Sequence, residues 1–174
     1  MLPDLSKVIP YPLDTGTDQV SYTFTTDKGI KYLIAFDDKT SDYSSADIGD
    51  SIIYEYQFYP TSDIDDEEHD ARVMATILNS ISLAMSQSHQ VLLYICENSD
   101  KKGLLRARLF DYIFRRYGGE RFIKIDGGIK ASKHSDEINY VSVIVSNENR
   151  DKDLINYTFQ QVLFHVELDK LPRF

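Results

Sequence analysis

The chain has one cysteine, no tryptophan, five prolines and eight glycines in 174 residues, and its 19 Lys and Arg are outnumbered by 28 Asp and Glu. Each shortage closes off a class of function. A lone cysteine excludes a disulfide framework and a cysteine-rich zinc site. The net charge of −9 opposes nonspecific binding to nucleic acid or to an anionic membrane surface. No apolar run approaches the roughly 20 residues that a membrane-spanning helix needs. The start, Met1-Leu-Pro-Asp-Leu-Ser, lacks the basic segment and apolar core of a signal peptide. A cytoplasmic, soluble chain is therefore expected. The phosphate-cradling motif Gly-x-x-x-x-Gly-Lys and the nucleophile elbow Gly-x-Ser-x-Gly are both missing. His69, His89, His134 and His165 show no ligand spacing. No catalytic residue, metal site or cofactor is expected.

What is present is enough apolar material for one good core. Its centre is Val91-Leu-Leu-Tyr-Ile-Cys96, apolar at consecutive positions. A strand with no polar face is covered on both sides, which places it inside a sheet. Before it, Val73, Met74, Ile77, Ile81, Ala84 and Met85 share one stripe at helical period. After it, a second helix carries Leu105, Leu109, Tyr112, Ile113 and Phe114. These two helices are expected to sandwich the central strand. Arg121-Phe-Ile-Lys-Ile-Asp126 then reads as a strand stopped by Gly127-Gly128.

Upstream, residues 1–18 read as an irregular lead-in, packed by Leu5, Val8, Ile9 and Tyr11. Val20 to Thr25 and Ile30 to Phe36 alternate around a turn at Asp27-Lys-Gly29 and predict an antiparallel hairpin. Residues 37–50 are polar and read as a loop. Ile53 to Tyr59 is a third strand with Tyr54, Tyr56 and Phe58 on one face, ended by Pro60. Downstream, Ile138 to Ser146 is a strand, and Asp151 or Asp153 starts a last helix bearing Ile155, Phe159, Val162, Leu163 and Val166. A strand over 159–168 is the alternative there. The order β-β-β-α-β-α-β-β-α gives an α+β fold: one domain over 1–174, with a mixed sheet of antiparallel strands first and a central β-α-β unit.

The chemistry points to the junction of the central strand and the second helix. Ser99 or Asp100 can cap that helix, and its free N–H groups at the strand's carboxyl end favour an anion. Ser99, Lys101, Lys102, Arg106 and Arg108 are the candidate ligand-binding or anion-binding residues. Arg108, Asp111 and Arg115 share a face and can pair along the helix. Arg106 falls among Phe110, Ile113 and Tyr117, so its charge must snorkel, pair or bind a ligand. Residues 101–116 hold six cations against one acid, Asp111. They form a basic island suited to an acidic partner patch, to a phosphate-bearing ligand, or to pairing with the acidic run 63–70. Six acids on a helix start diverge and do not match a calcium loop. Cys96 reads as a buried, inert thiol, because the arginine and open N–H loop of a thiolate phosphatase are missing. Asp37-Asp-Lys39 is similar to the acid-x-Lys piece of metal-dependent nucleases, but only Asp27 or Glu55 could complete it.

Two resemblances go further. The order of elements resembles the core of the acetyl-coenzyme A-dependent N-acyltransferases. That family holds the coenzyme pyrophosphate on a glycine-rich turn after the third strand. The corresponding stretch here, Pro60 to Asp70, has no glycine and six acids, which implies a shared topology without the activity. Tyr22-Thr-Phe24, Val73 to Thr76 and Arg106 to Phe110 are similar, in that order, to motifs of a group of small uncharacterised bacterial proteins. That resemblance spans most of 20–125 and implies a shared fold. The expected function is a non-enzymatic binding, regulatory or complex-accessory protein with a protein partner. The alternative is a divergent acyltransferase-fold enzyme, or a small-anion or nucleotide binder at 98–108.

Overall fold

The computed structural model describes residues 4–18, 20–44, 46–61, 70–97 and 101–165. Among these residues, seven strands and three α-helices form an α+β fold. The strands are β1 (Asp14–Thr15), β2 (Ser21–Thr25), β3 (Lys31–Asp38), β4 (Ile52–Pro60), β5 (Gln90–Cys96), β6 (Phe122–Lys130) and β7 (Ile138–Ser146). The helices are α1 (Ala71–Ala84), α2 (Gly103–Tyr117) and α3 (Lys152–Val162). Sheet order is β1-β2-β3-β4-β5-β7-β6, with β4 and β5 parallel. Central placement of β5 follows as its sequence requires. The chain divides into two compact units, residues 1–37 with 56–86 and residues 38–55 with 87–174.

In the first unit β2 and β3 form the expected hairpin, with Tyr22 opposite Ile34 and Phe24 opposite Tyr32. Gly29 takes a positive φ of 80° at the turn, a conformation only glycine adopts without penalty. Phe24, Tyr32 and Phe58 stack nearly parallel at centroid distances of 5.0–6.3 Å, and Tyr11 lies on Phe24 at 5.7 Å. The lead-in is more ordered than its composition suggests. It supplies β1 and a clamp around Tyr11. The Tyr11 hydroxyl donates to Asp70 Oδ2 (2.8 Å) and accepts from the Asp27 amide (3.2 Å), while the Tyr11 amide donates to Thr76 Oγ1 (2.8 Å). Arg72 covers the ring at 3.9 Å and donates to the Ile9 carbonyl and the Asp27 carboxylate. Leu5 and Tyr11 are buried as expected, whereas Ile9 is exposed. Asp70 caps α1 by accepting from the Arg72 amide. Residues 63–69 of the acidic run lie outside the described residues.

In the second unit β7 pairs antiparallel with both β5 and β6. The β5-α2-β6 unit is therefore a crossover with β7 inserted between its two strands. The sequence expects the helices before and after β5 to cover its faces. The structure corrects one of them. The face of Val91, Leu93 and Ile95 packs with Val141, Val143 and Val145 against Ile155, Phe159 and Leu163. That cover is supplied by α3, to which the sequence does not assign it. The other face, with Tyr94, Cys96 and Tyr140, packs under Leu104 and Ala107 of α2. The amphipathic period of 152–162 prevails over its β-branched content, and Val166 lies outside the described residues.

Gly127 and Gly128 do not stop β6, which runs on to Lys130. Glycine is needed at 127 because the chain leaving α3 passes close by. A Cβ there would meet Leu163 Cβ at 2.5 Å and the Phe164 carbonyl oxygen at 2.9 Å. Gly128 exchanges two backbone hydrogen bonds with Phe164, at 3.0 and 2.9 Å.

Candidate interaction face on helix α2

Helix α2 has apolar residues on both of its sides, so its sequence admits two phases. Leu104, Ala107, Phe110, Asp111 and Ile113 are buried, and Phe110 stacks on Tyr94 at 4.3 Å. With 100° per residue, the opposite stripe is Leu105, Arg108, Leu109, Tyr112 and Arg116. Leu105 is 61% exposed and Tyr112 40%; Arg116 is exposed and Arg108 and Leu109 are half-buried. The expectation that Leu105 and Tyr112 serve the core is thus overturned, while Ile113 does serve it. The expected Asp111–Arg115 pair forms, with Arg115 Nε 2.9 Å from Asp111 Oδ2. However, its acid is buried and is not part of a solvated face.

The phase is set by what lies beneath. Lys124 of β6 points under α2 with its side chain only 4% exposed. Its ammonium donates to Asp111 Oδ1 at 2.9 Å and to the Asp126 carboxylate. Ser142 Oγ donates to Asp126 Oδ1 at 2.7 Å. A buried ammonium is tolerable only when paired, and Asp111 is the one acid of 101–116 able to reach it from α2. Turning Asp111 inward turns Leu105 and Tyr112 outward and leaves the outer face of α2 without an acid. The alternation Phe-Ile-Lys-Ile-Asp, which puts Lys124 and Asp126 on one strand face, was the available signal for this network.

The sequence-derived site residues are distributed as follows. Ser99 and Asp100 lie outside the described residues. Lys101 and Lys102 are exposed at the entry to α2; Lys101 has a positive φ of 59°, and Lys102 is the N-cap and makes no side-chain capping bond. Arg106 is half-buried and its guanidinium donates to the Glu97 carbonyl at 3.0 Å. Arg108 lies 200° further round the helix, on the outer stripe. Lys101, Lys102 and Arg108 thus belong with the outer face and its approach, and Arg106 with the strand end.

The remaining chemical candidates lie apart from this face. Cys96 is buried, and burial pushes its thiol up to about 12, the opposite of an activated nucleophile. Asp37 accepts from Gln57 Nε2 at 3.1 Å. Asp38 accepts from the amide and hydroxyl of Thr40, which hold its carboxyl below its ordinary value. Among the described residues no group of acids, histidines or cysteines could hold a metal ion, and no helix is long and apolar enough to cross a membrane. An open cleft of about 770 Å3 lies over residues 38–51, lined by Asp38, Thr40, Tyr43 and Asp47 among others.

Residues 69–161, a little over half of the chain, match the model of a family of unknown function, DUF6169. The matched span contains all of α2. No curated protein and no solved structure matches the chain.

Proposed function

We propose, from the premise that this chain belongs to DUF6169, a family of unknown function, that it acts by binding and takes a protein partner on the outer face of α2. One observation carries the reading: two large apolar side chains, Leu105 and Tyr112, stand out from the surface in line along one helix, flanked by cations. Apolar anchors with arginine beside them are what protein interfaces are enriched in. The polar side chains buried beneath α2 are meanwhile committed to one another, as Lys124, Asp111, Asp126 and Ser142 are. Lys101, Lys102 and Arg108 add positive charge at the edge of the face.

The test has two arms. A displayed peptide library is selected on the protein, and the enriched peptides are re-bound to a Leu105→Asp, Tyr112→Ser variant whose folding is verified by circular dichroism. The expected result is that their binding is lost. Retention of binding by the variant would place recognition elsewhere and end the proposal. In the second arm, coenzyme A, nucleotides and inorganic phosphate are screened by thermal shift. A stabilisation that persists in the variant would favour the small-anion reading instead.

A further inference from the structure

We infer that the chain's own continuation past Phe164 adds a strand to the outer edge of β6, with Val166 opposite Asp126 and Leu168 opposite Lys124. The outer face of α2 plays no part in this. β6 stands last in the sheet order, so among the described residues only β7 flanks it as a strand. On its other side Gly128 exchanges two main-chain hydrogen bonds with Phe164 in an antiparallel bridge. In an antiparallel ladder these groups point to the two sides by turns. Arg121 and Ala131, at the two ends of β6, bond across to Asn147 and Glu137 on the β7 side. The odd-numbered residues therefore serve β7, and the even-numbered ones face outward.

The outward amide of Phe122 is taken by the Gly118 carbonyl at 3.1 Å. Between Phe122 and Gly128 stand Lys124 and Asp126, whose outward main-chain groups bond nothing among the described residues. Lys124 is half-buried as a residue although its side chain is only 4% exposed. The part of it that meets water is its main chain. Such an open edge is a template for another strand.

The occupant follows from where the chain arrives. α3 ends at Val162, Leu163 is extended, and Phe164 already runs antiparallel to β6. The sequence goes on His165-Val-Glu-Leu-Asp169. Phe164, Val166 and Leu168 alternate there with polar residues at the period of a strand. Residues 166–174 lie outside the described residues, and the pair before them sets the register. Carried on from Gly128 and Phe164, it brings Val166 to Asp126 and Leu168 to Lys124, four residues past Phe164. Opposed residues share a face of the sheet. Val166 and Leu168 thus fall on the side where Lys124 pairs with Asp126, and shield that pair from water. A separate chain fits less well. Two residues with open main-chain groups offer too few hydrogen bonds to offset the entropy of associating a second molecule. The continuation meets no such cost, because Phe164 holds it at the edge.

The experiment is amide hydrogen exchange followed residue by residue by NMR. It compares the full chain, a chain ending at His165, and Val166→Pro, which keeps the full length but removes the amide facing Asp126. In the full chain the Lys124 and Asp126 amides are expected to exchange at least about tenfold more slowly than in either variant. Ile123 and Ile125, bonded to β7, should keep the same rates in all three. A cross-strand NOE between the α protons of Glu167 and Ile125 is also expected, since the α carbons of a non-hydrogen-bonded pair approach to about 4.5 Å.

Equal exchange at Lys124 and Asp126 in all three proteins overturns the inference. So does protection that survives Val166→Pro, or a full chain that lacks the NOE. Protection that appears only as protein concentration rises overturns it as well, because the added strand then comes from a second copy. If the shortened chain does not fold, which lost protection at Ile123 and Ile125 reports, Val166→Pro decides.

Discussion

Lys124→Met tests the account of how α2 is oriented. Methionine keeps most of the apolar stem and removes the ammonium, so the loss is electrostatic and not a cavity effect. Two carboxylates then lose their shared cation. Breaking a buried pair by removing one partner costs about 3–5 kcal/mol. The low end applies here. Asp126 is 25% exposed and Asp111 12%, and Asp111 retains Arg115. A loss of about 3 kcal/mol is expected. For a chain of 174 residues the unfolding entropy is about 0.37 kcal/mol/K, so the melting temperature should fall by ~8 °C. The assay is thermal and urea unfolding followed by circular dichroism at neutral pH. The deficit should change little between about 0.1 and about 0.5 M salt, because screening acts weakly on a buried pair. Adding Asp126→Asn to the variant should restore more than half of it, since the stranded charge goes with it. A loss below ~1 kcal/mol, a deficit that vanishes with salt, or no recovery in the double variant would show that this network does not set the phase of α2.

Three further outcomes are expected. Burial raises the Cys96 thiol from 9.0 to about 12, and a group raised on folding contributes stability that is complete below its unfolded value and lost as pH climbs through the folded one. Stability should therefore drain away between pH about 9 and about 12, by about 4 kcal/mol from this group; Cys96→Ala should flatten that decline, and the native thiol should resist Ellman's reagent at neutral pH. Tyr11→Phe keeps the ring on Phe24 but removes the bonds to Asp70 and Asp27, which should cost about 1–2 kcal/mol in urea unfolding. Gly127→Ala drives a methyl against Leu163 and the Phe164 carbonyl and should cost about 1–3 kcal/mol, whereas Gly119→Ala, whose new Cβ meets only the Arg115 carbonyl at 3.5 Å, should cost much less.

Much of the fold was legible because the periods are clean. The hairpin over 20–36, the aromatic face of β4 and the central place of β5 all follow from alternation or its absence, and the turn at Gly29 from its residue type. The site was harder to read. Helix α2 has apolar residues on both sides, so periodicity gave a helix but not its phase. Arg106 was rightly singled out as a charge needing a partner. One partner is a backbone carbonyl, that of Glu97, and backbone atoms are the same at every position of a sequence. Gly127 and Gly128 looked like a strand end, and only the return of the chain at Leu163 and Phe164 shows why side chains are missing there.

Local pattern and composition by themselves determined the types of most elements, the hairpin turn, the burial of β5 and the clustering of six cations in 101–116. These are properties of neighbouring residues, and backbone geometry converts them directly into structure. The tertiary structure alone decided which helix covers which face of β5 and which side of α2 meets solvent. Both are settled by contacts between distant residues, with Phe159 and Leu93 in one core cluster in one case and Asp111 with Lys124 in the other. A buried charge is stabilised by its partner in space, and no local period records where that partner will be.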